Sequence, residues 1–439
     1  MFAIPLAMAL ALSWHPSLGV FRKSALNPML LFAVYIVLVA GDYASMNING
    51  SGVLAQHRVS AAPGTLFVLE LKYVCMLIAA LAGIATMFQM TPASIPSNRP
   101  VRRMDLRLVW SLSYLFVLVG WYVAVMSLGV DISSLSDTIE VKSQTSKSIS
   151  LFVLSMMLLP AFTYMLPRQS YKVVIPLVLF SIGMLLLSGS RTRILYILVP
   201  FAFYLFRVRS VPIPRFAFLI LAFIVGLLAL AALNFRTTEA YKSEVTLSNL
   251  TNASNLFEIN DLAFAETNLA LSGLNRNRLE EYPGQSLVGF VFAVVPRSIV
   301  PFKPPVGSRQ FTAAYDPFKY AKYNRGLTIG GVSEIEFDYP FPVALVIVYL
   351  FAAGWARALI RAIGSRSTNG FGWTVGLYVT LYVFLKADLQ AAGQILFIFV
   401  FYSLIVFGVE QATRIPVERQ MRPRVTPGGS FPGRKRLPA

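Results

Sequence analysis

The chain has 439 residues, of which 56% are hydrophobic and 13% are charged, whereas roughly a quarter of the residues in soluble domains are charged. Its net charge of +18 lies in short runs between apolar stretches and not on one polar face, which argues against a nucleic-acid partner. One cysteine and two histidines exclude an internal disulfide and a cysteine or histidine metal centre. We therefore predict an all-α polytopic membrane protein that uses no metal or other cofactor.

Apolar stretches of the length needed to cross a bilayer, about 20 residues, recur along the chain. About eleven transmembrane helices are predicted, at 1–14, 28–46, 65–90, 108–129, 149–166, 173–189, 192–206, 213–234, 341–360, 371–386 and 391–409. The first stretch is short and no charged segment precedes it, so we interpret it as a retained helix and not as a cleaved signal. The sixth and seventh stretches are separated at 188–191, where glycine and serine favour a turn.

These stretches divide the chain into four segments. The segments are spans one to eight (1–234), one long and partly helical loop (235–340), spans nine to eleven (341–409) and a tail rich in Arg, Pro and Gly (410–439). Lys and Arg concentrate in alternate loops, and such loops face the cytoplasm in membrane proteins. This bias predicts an inner-membrane protein whose N-terminus and long loop lie on the outer side and whose disordered tail lies in the cytoplasm near anionic membrane lipids.

Several cations lie on the predicted outer side, against the positive-inside bias. Arg191 and Arg193 follow the turn between spans six and seven, and Arg236 directly follows span eight. A guanidinium presents a rigid fork of donors that suits phosphate oxygens, so this group predicts a site for a phosphorylated ligand. The alternative is that these side chains reach lipid phosphates at the membrane surface.

The second half of the long loop contains an apolar run and a proline-dense stretch. The run from Ser286 to Val295 is too short to span a membrane and predicts a re-entrant or interfacial helix. The stretch 296–305 carries Arg297 and Lys303 on a backbone that proline stiffens. The alternative is an ordinary loop with two solvated charges.

Three carboxylates lie immediately before span nine. Glu334, Glu336 and Asp338 alternate, so they would share one face of an extended segment, whereas on a helix Glu334 and Asp338 would align. A carboxylate at the membrane edge beside cations is a candidate general base, and Arg297 or Arg325 could keep it ionised. The alternative is a solvated acidic patch. The sequence contains neither a Walker loop nor a GxGxxG motif.

Four elements of the sequence resemble the O-antigen polymerase family, also called oligosaccharide repeat-unit polymerases. They are Tyr282-Pro283-Gly284-Gln285-Ser286, the run Val295 to Pro304, Gly330-Gly331-Val332-Ser333-Glu334, and Ser188-Gly189-Ser190-Arg191-Thr192. Family members have many spans and one long periplasmic loop, so the likeness extends to nearly the whole architecture. The related O-antigen ligases are expected to use a histidine in this loop, and the loop of this chain has none.

The resemblance implies a glycosyltransferase that joins undecaprenyl-diphosphate-linked oligosaccharides into a surface polysaccharide such as O-antigen, capsule or exopolysaccharide. A chain-length regulator and a flippase are the partner proteins that it implies. On the family pattern Glu334 is the catalytic residue. The expected diphosphate-binding residues are Arg191, Arg193, Arg236, Arg297 and Lys303, with Tyr282, Arg325, Glu336 and Asp338 as secondary site residues.

Three other readings of the sequence remain open. An O-antigen ligase-like transferase would have the same architecture, although the loop histidine is missing. A transporter of lipid-linked sugars is expected to show internal repeats and broken helices at the midplane, and the sequence shows no clear repeat. A structural membrane scaffold would leave the outer arginines unexplained.

Overall fold

The computed structural model describes residues 1–54, 57–60, 62–90, 107–127, 149–187, 191–214, 264–273, 285–295, 298–304, 307–318, 321, 329–365 and 367–412. Helices form most of this part of the chain. They are α1 Ala3–Leu12, α2 Pro28–Asn49, α3 Pro63–Met90, α4 Arg107–Ser127, α5 Ile149–Met165, α6 Tyr171–Leu187, α7 Arg191–Phe203, α8 Phe264–Gly273, α9 Gln285–Val291, α10 Gly307–Tyr315, α11 Gly331–Asp338, α12 Phe341–Gly364, α13 Thr368–Lys386 and α14 Leu389–Ala412. A hairpin of β1 (Ser51–Leu54) and β2 (His57–Ser60) connects α2 to α3.

Ten of the predicted spans coincide with a helix in the described residues, whereas 213–234 lies outside them from residue 215 onward. Five of these helices, α2, α3, α4, α12 and α14, are long and apolar enough to cross a membrane, or six if a bent pair counts as one span. The prediction of an all-α membrane protein is therefore confirmed at this level. The predicted break between spans six and seven falls between α6, which ends at Leu187, and α7, which begins at Arg191.

The first apolar stretch does not continue as one straight helix. After α1, a short 3-10 segment, Pro16–Lys23, turns away at 92°. Ten residues of α-helix extend only about 15 Å, roughly half the thickness of a bilayer core. The His15 ring caps the new segment, because its Nδ1 accepts a hydrogen bond of 3.3 Å from the Ser17 amide.

Helix α13 is the most enclosed helix of the bundle, with most of its side chains buried. Its glycines allow this position, because a Cβ at Gly372 would overlap the Tyr164 ring of α5 and one at Gly376 would overlap the Phe399 ring of α14. Small residues permit such close approach between membrane helices.

The long-loop helices gather at one end of the bundle, where α2 ends and α3, α12 and α14 begin, and we call it the loop end. There the Lys72 amine of α3 forms an ion pair with Glu336 of α11 at 3.7 Å. At the opposite end, Arg207, just beyond α7, donates to the carbonyl oxygen of Ile363 at 3.1 Å, near the end of α12. Arg207 and the end of α12 therefore lie opposite the three carboxylates.

Candidate functional site

A glycine pair positions Glu334 at the loop end. Gly330 has a φ of 72°, a conformation that glycine adopts without strain, and it begins the turn into α11. A Cβ at Gly331 would overlap the Phe384 ring of α13. The pair thus lets α11 approach α13 closely. One turn later, Glu334 faces the connection between α13 and α14.

The Glu334 carboxyl is almost completely enclosed, with 5% of the residue exposed. Its Oε2 accepts a hydrogen bond of 2.6 Å from the backbone amide of Leu389, the first residue of α14. Its Oε1 packs against Gly307 at the start of α10, where any Cβ would overlap the carboxyl group. Two other stretches of the chain, the starts of α10 and α14, therefore fix this carboxyl group.

Asp388 is a second buried carboxyl at the same place, between α13 and α14. Its Oδ1 accepts a hydrogen bond of 2.7 Å from the Ala391 amide, which makes Asp388 the N-cap of α14. Its Oδ2 accepts a hydrogen bond of 2.8 Å from the Ser308 hydroxyl of α10. Asp388 therefore fastens α10 to the start of α14 beside Glu334.

Burial and neighbouring charges make this carboxyl pair hard to ionise. Burial is the main cause that raises the pKa of Glu334 well above its usual value, and the charges of Asp388 and Asp338 add to it, while the Leu389 amide acts in the opposite direction. Burial also raises the pKa of Asp388, against the Ala391 amide, the Ser308 hydroxyl and the Arg309 charge. Two carboxyls that interact in this way titrate as a unit, and the pair holds a proton that separate carboxyls would release.

The other two predicted carboxylates of α11 face different partners. Because residues 331–338 are helical, Glu334 and Asp338 lie on the same side, and Glu336 turns to Lys72. Asp338 Oδ2 accepts a hydrogen bond of 2.7 Å from the Ser286 amide at the start of α9. Burial raises the pKa of both Glu336 and Asp338, and Lys72 opposes this effect at Glu336. Asp338 therefore links two loop helices, and Glu336 belongs to an ion pair.

Lys303 is the predicted cationic site residue whose side-chain contacts the structure describes. Its amine donates to the carbonyl oxygens of Ala293 and Val295 at 2.8 and 2.9 Å, and so it holds the chain that follows α9. These bonds give Lys303 a structural role beside the predicted binding role.

The predicted arginine site can be placed only in part. Arg191 is the first residue of α7, and Arg193 lies in its first turn. Because the chain runs along α7 to Arg207 at the opposite end, both arginines lie on the side of the loop end. Four further predicted residues lie outside the described residues: Arg236, Arg297, Tyr282 and Arg325. The expected effect of Arg297 or Arg325 on Glu334 is therefore untested, and the described carboxylates around Glu334 act in the opposite direction.

Sequence reasoning missed Asp388, Ser308 and Arg309. Asp388 had a detectable signal, because an aspartate immediately before an apolar helical run is typical of an N-cap. Ser308 and Arg309 had none, since nothing in their segment indicates that α10 folds back onto the connection between α13 and α14.

Comparisons with family models, curated proteins and solved structures gave no match to this chain. The feature of this chain that points to a function is the carboxyl pair at the end of the membrane bundle. Chemically, a buried carboxyl pair that shares protons can accept a proton from a substrate hydroxyl.

Replacing Gly307 with alanine is expected to damage the site directly. The new methyl group would occupy the space of Glu334 Oε1, so either the carboxyl or the start of α10 must move. We expect Gly307→Ala to unfold at a lower temperature than the wild type, because overpacking of this kind costs about 1–3 kcal/mol. Gly354→Ala is the matched control, since nothing lies within 4 Å of a Cβ there. Equal Tm values of the two variants would contradict the placement of Glu334.

Proposed function

We propose that the protein polymerises undecaprenyl-diphosphate-linked oligosaccharide repeat units into a surface polysaccharide, on the periplasmic face of a bacterial inner membrane. One observation supports this most: Glu334, the acidic residue of the family-like element, is buried with a second carboxyl where the loop helices meet the membrane bundle. The proposal includes eleven spans, a periplasmic N-terminus and a cytoplasmic C-terminus.

In the proposed reaction, a sugar hydroxyl of one lipid-linked repeat unit attacks C1 of the sugar that carries undecaprenyl diphosphate. The new C–O bond forms as the bond from C1 to the diphosphate oxygen breaks, and undecaprenyl diphosphate leaves with the electron pair. The hydroxyl proton passes to the Glu334 carboxylate. The donor brings its own leaving group, which is consistent with the absence of nucleotide-binding motifs from the sequence.

The environment of Glu334 suits a general base. A base works best when its pKa lies near the operating pH, and burial with neighbouring carboxylates raises the pKa of Glu334 from its low ordinary value. Glu334 is nearly inaccessible, so the proposed reaction requires α10 to move away from Oε1 when the acceptor binds.

The proposed orientation predicts which positions an impermeant maleimide reaches from outside. In a Cys75→Ser background, Ser60→Cys in β2 should be labelled on intact spheroplasts, since this position is exposed at the loop end. Val211→Cys, exposed beyond α7 at the opposite end, should be labelled only after lysis. Labelling of Val211→Cys alone in intact spheroplasts would reverse the orientation.

The proposed reaction is tested by the lipid-linked products of a deletion strain. Without the protein, cells should accumulate undecaprenyl diphosphate that carries single repeat units, and mass spectrometry should show no longer members of the series. The purified protein in liposomes should lengthen these isolated intermediates when nothing but the intermediates is added. An unchanged product ladder in the deletion strain would overturn the proposal.

A proton-coupled transporter of lipid-linked sugars is a second candidate, favoured by a carboxyl pair inside the bundle. Asp42 lies fully buried in α2, its Oδ2 accepts a hydrogen bond of 2.6 Å from the Ala265 amide of α8, and the buried carboxyl of Glu266 in α8 interacts with it. Ionisable groups inside membrane bundles often mark proton pathways. A transporter would move lipid-linked sugars between leaflets of a liposome without lengthening them, and Asp42→Asn would stop this movement.

A further inference from the structure

Asp388 occupies a position from which it controls the geometry of Glu334. Its Oδ1 caps the first turn of α14, and this turn supplies the Leu389 amide that holds Glu334 Oε2 at 2.6 Å. Its Oδ2 holds Ser308, the residue next to Gly307, and Gly307 packs against Glu334 Oε1. Asp388 thus fixes a neighbour of each Glu334 oxygen.

The hydrogen bonds also separate the roles of the two carboxyls. Both oxygens of Asp388 already accept hydrogen bonds from the protein. In contrast, Glu334 Oε1 has no hydrogen bond to any of the described residues, and only Oε2 is held. We therefore assign the proton transfer to Oε1, because both Asp388 oxygens already hold neighbouring segments of the protein.

The charges around the pair belong to few groups. Asp338 faces Glu334 from its own helix, and Asp388 faces it from the connection between α13 and α14. Arg309 of α10 acts on Asp388 and partly offsets its charge. Lys72 of α3 acts on Glu336, on another side of α11. Of the described groups, Asp388 is thus the one that places a charge near Glu334 and also bonds to the segments that contact the two Glu334 oxygens.

We propose that Asp388 is a positioning residue that holds the Glu334 carboxyl in place and, by its charge, makes it a stronger proton acceptor, with Arg309 setting how much of that charge Glu334 experiences. This inference rests on the proposed function for its catalytic consequence. Its electrostatic part, the interaction between the two carboxyls, holds whatever the reaction is.

The variant Asp388→Asn separates charge from geometry. Asparagine is as good an N-cap as aspartate, and its amide can still bond to Ala391 and Ser308. Loss of the charge lowers the pKa of Glu334, so the acid limb of the pH–rate profile should move to lower pH. A weaker base should also reduce kcat by about tenfold, a part of the 10²–10⁴-fold typical of general base catalysis. The KM for the lipid-linked oligosaccharide should stay unchanged.

Thermal unfolding of the detergent-solubilised protein gives a second readout that needs no activity. Because the folded protein raises the pKa of Glu334 and Asp388, it keeps protons that the unfolded chain releases above about pH 4.3. Stability should therefore fall as the pH rises. Asp388→Asn should flatten this fall in Tm, and Arg309→Gln should steepen it, because the arginine lowers the pKa of Asp388.

Three outcomes test the carboxyl interaction, the positioning role of Asp388 and the proposed function separately. If Tm falls with rising pH as steeply in both Asp388→Asn and Arg309→Gln as in the wild type, the two carboxyls do not interact and the proposal is wrong. A raised KM with unchanged kcat in Asp388→Asn would overturn the positioning role, because Asp388 would then bind substrate. If wild-type protein lengthens no lipid-linked oligosaccharide but the Tm slopes differ as expected, the proposed function fails and the carboxyl interaction stands.

Discussion

Glu334→Gln is expected to stop chain growth, so that single repeat units accumulate on the lipid carrier. Glutamine keeps the size of the side chain and an oxygen that can accept the hydrogen bond from the Leu389 amide, but it cannot take up a proton. Since general base catalysis contributes typically 10²–10⁴-fold, the rate of polymerisation should fall by about that factor. The measurement is the mass ladder of lipid-linked oligosaccharides made by the purified variant in liposomes.

The stability of this variant distinguishes a chemical defect from a folding defect. The buried Glu334 carboxyl resists ionisation, and a neutral amide does not ionise. Glu334→Gln should therefore have a Tm at least equal to that of the wild type above neutral pH, while it remains inactive. An inactive variant with a much lower Tm would indicate a structural role instead.

The other two carboxylates of α11 provide matched controls. Glu336→Gln removes an ion pair with the half-exposed Lys72 and should reduce the rate only mildly. Asp338→Asn weakens a link between α11 and α9, and it should lower stability more than activity. If Glu334→Gln makes normal polymer while one of these variants does not, another carboxylate is the base; if all three are active, the carboxylate mechanism is wrong.

The helices of the bundle could be predicted because each depends on a property of its own segment. Length and apolarity are enough to predict α3 and α12, and the Gly-Ser turn is enough to separate α6 from α7. The bend after α1 escaped this reasoning, because hydropathy does not report the direction of the chain.

Only one member of the carboxyl pair, Glu334, could be predicted from the sequence. Glu334 follows a glycine pair that signals a special backbone, but Asp388 lies far along the chain, and a hydrogen bond between residues 80 positions apart brings α10 to it. The helix over 331–338 was also undecided, because three alternating carboxylates in eight residues fit both an extended segment and a helix. The structure decides for the helix and so separates Glu336 from the other two.

The electrostatic role of Glu334 shows why a sequence cannot give a protonation state. The sequence predicts arginines beside Glu334 and hence an ionised carboxylate, whereas the described neighbours are two carboxylates that raise its pKa. The difference arises from packing, because α10 and α14 bring Asp388 to Glu334 and exclude water from both. In this arrangement the Glu334 carboxyl gives up its proton less readily, and its carboxylate form is therefore a stronger base.

Arg191→Ala is expected to abolish polymer while the protein still inserts into the membrane. The leaving diphosphate gains charge in the transition state, and loss of a fixed donor to such a charge costs about 10²–10³-fold in rate. Arg191 begins α7 on the side of the loop end, against the positive-inside bias of the chain. It therefore lies on the membrane face where the proposed reaction takes place.

Arg191→Lys and Lys172→Ala make this prediction specific. Lysine keeps the charge but lacks the planar fork that bonds two phosphate oxygens at once, so Arg191→Lys should restore only part of the activity. Lys172→Ala removes an exposed charge near the start of α6, on the side predicted to face the cytoplasm, and should leave chain length unchanged. Normal polymer from Arg191→Ala would remove this residue from the site; full rescue by lysine would indicate attraction by charge and not a bidentate bond to the diphosphate.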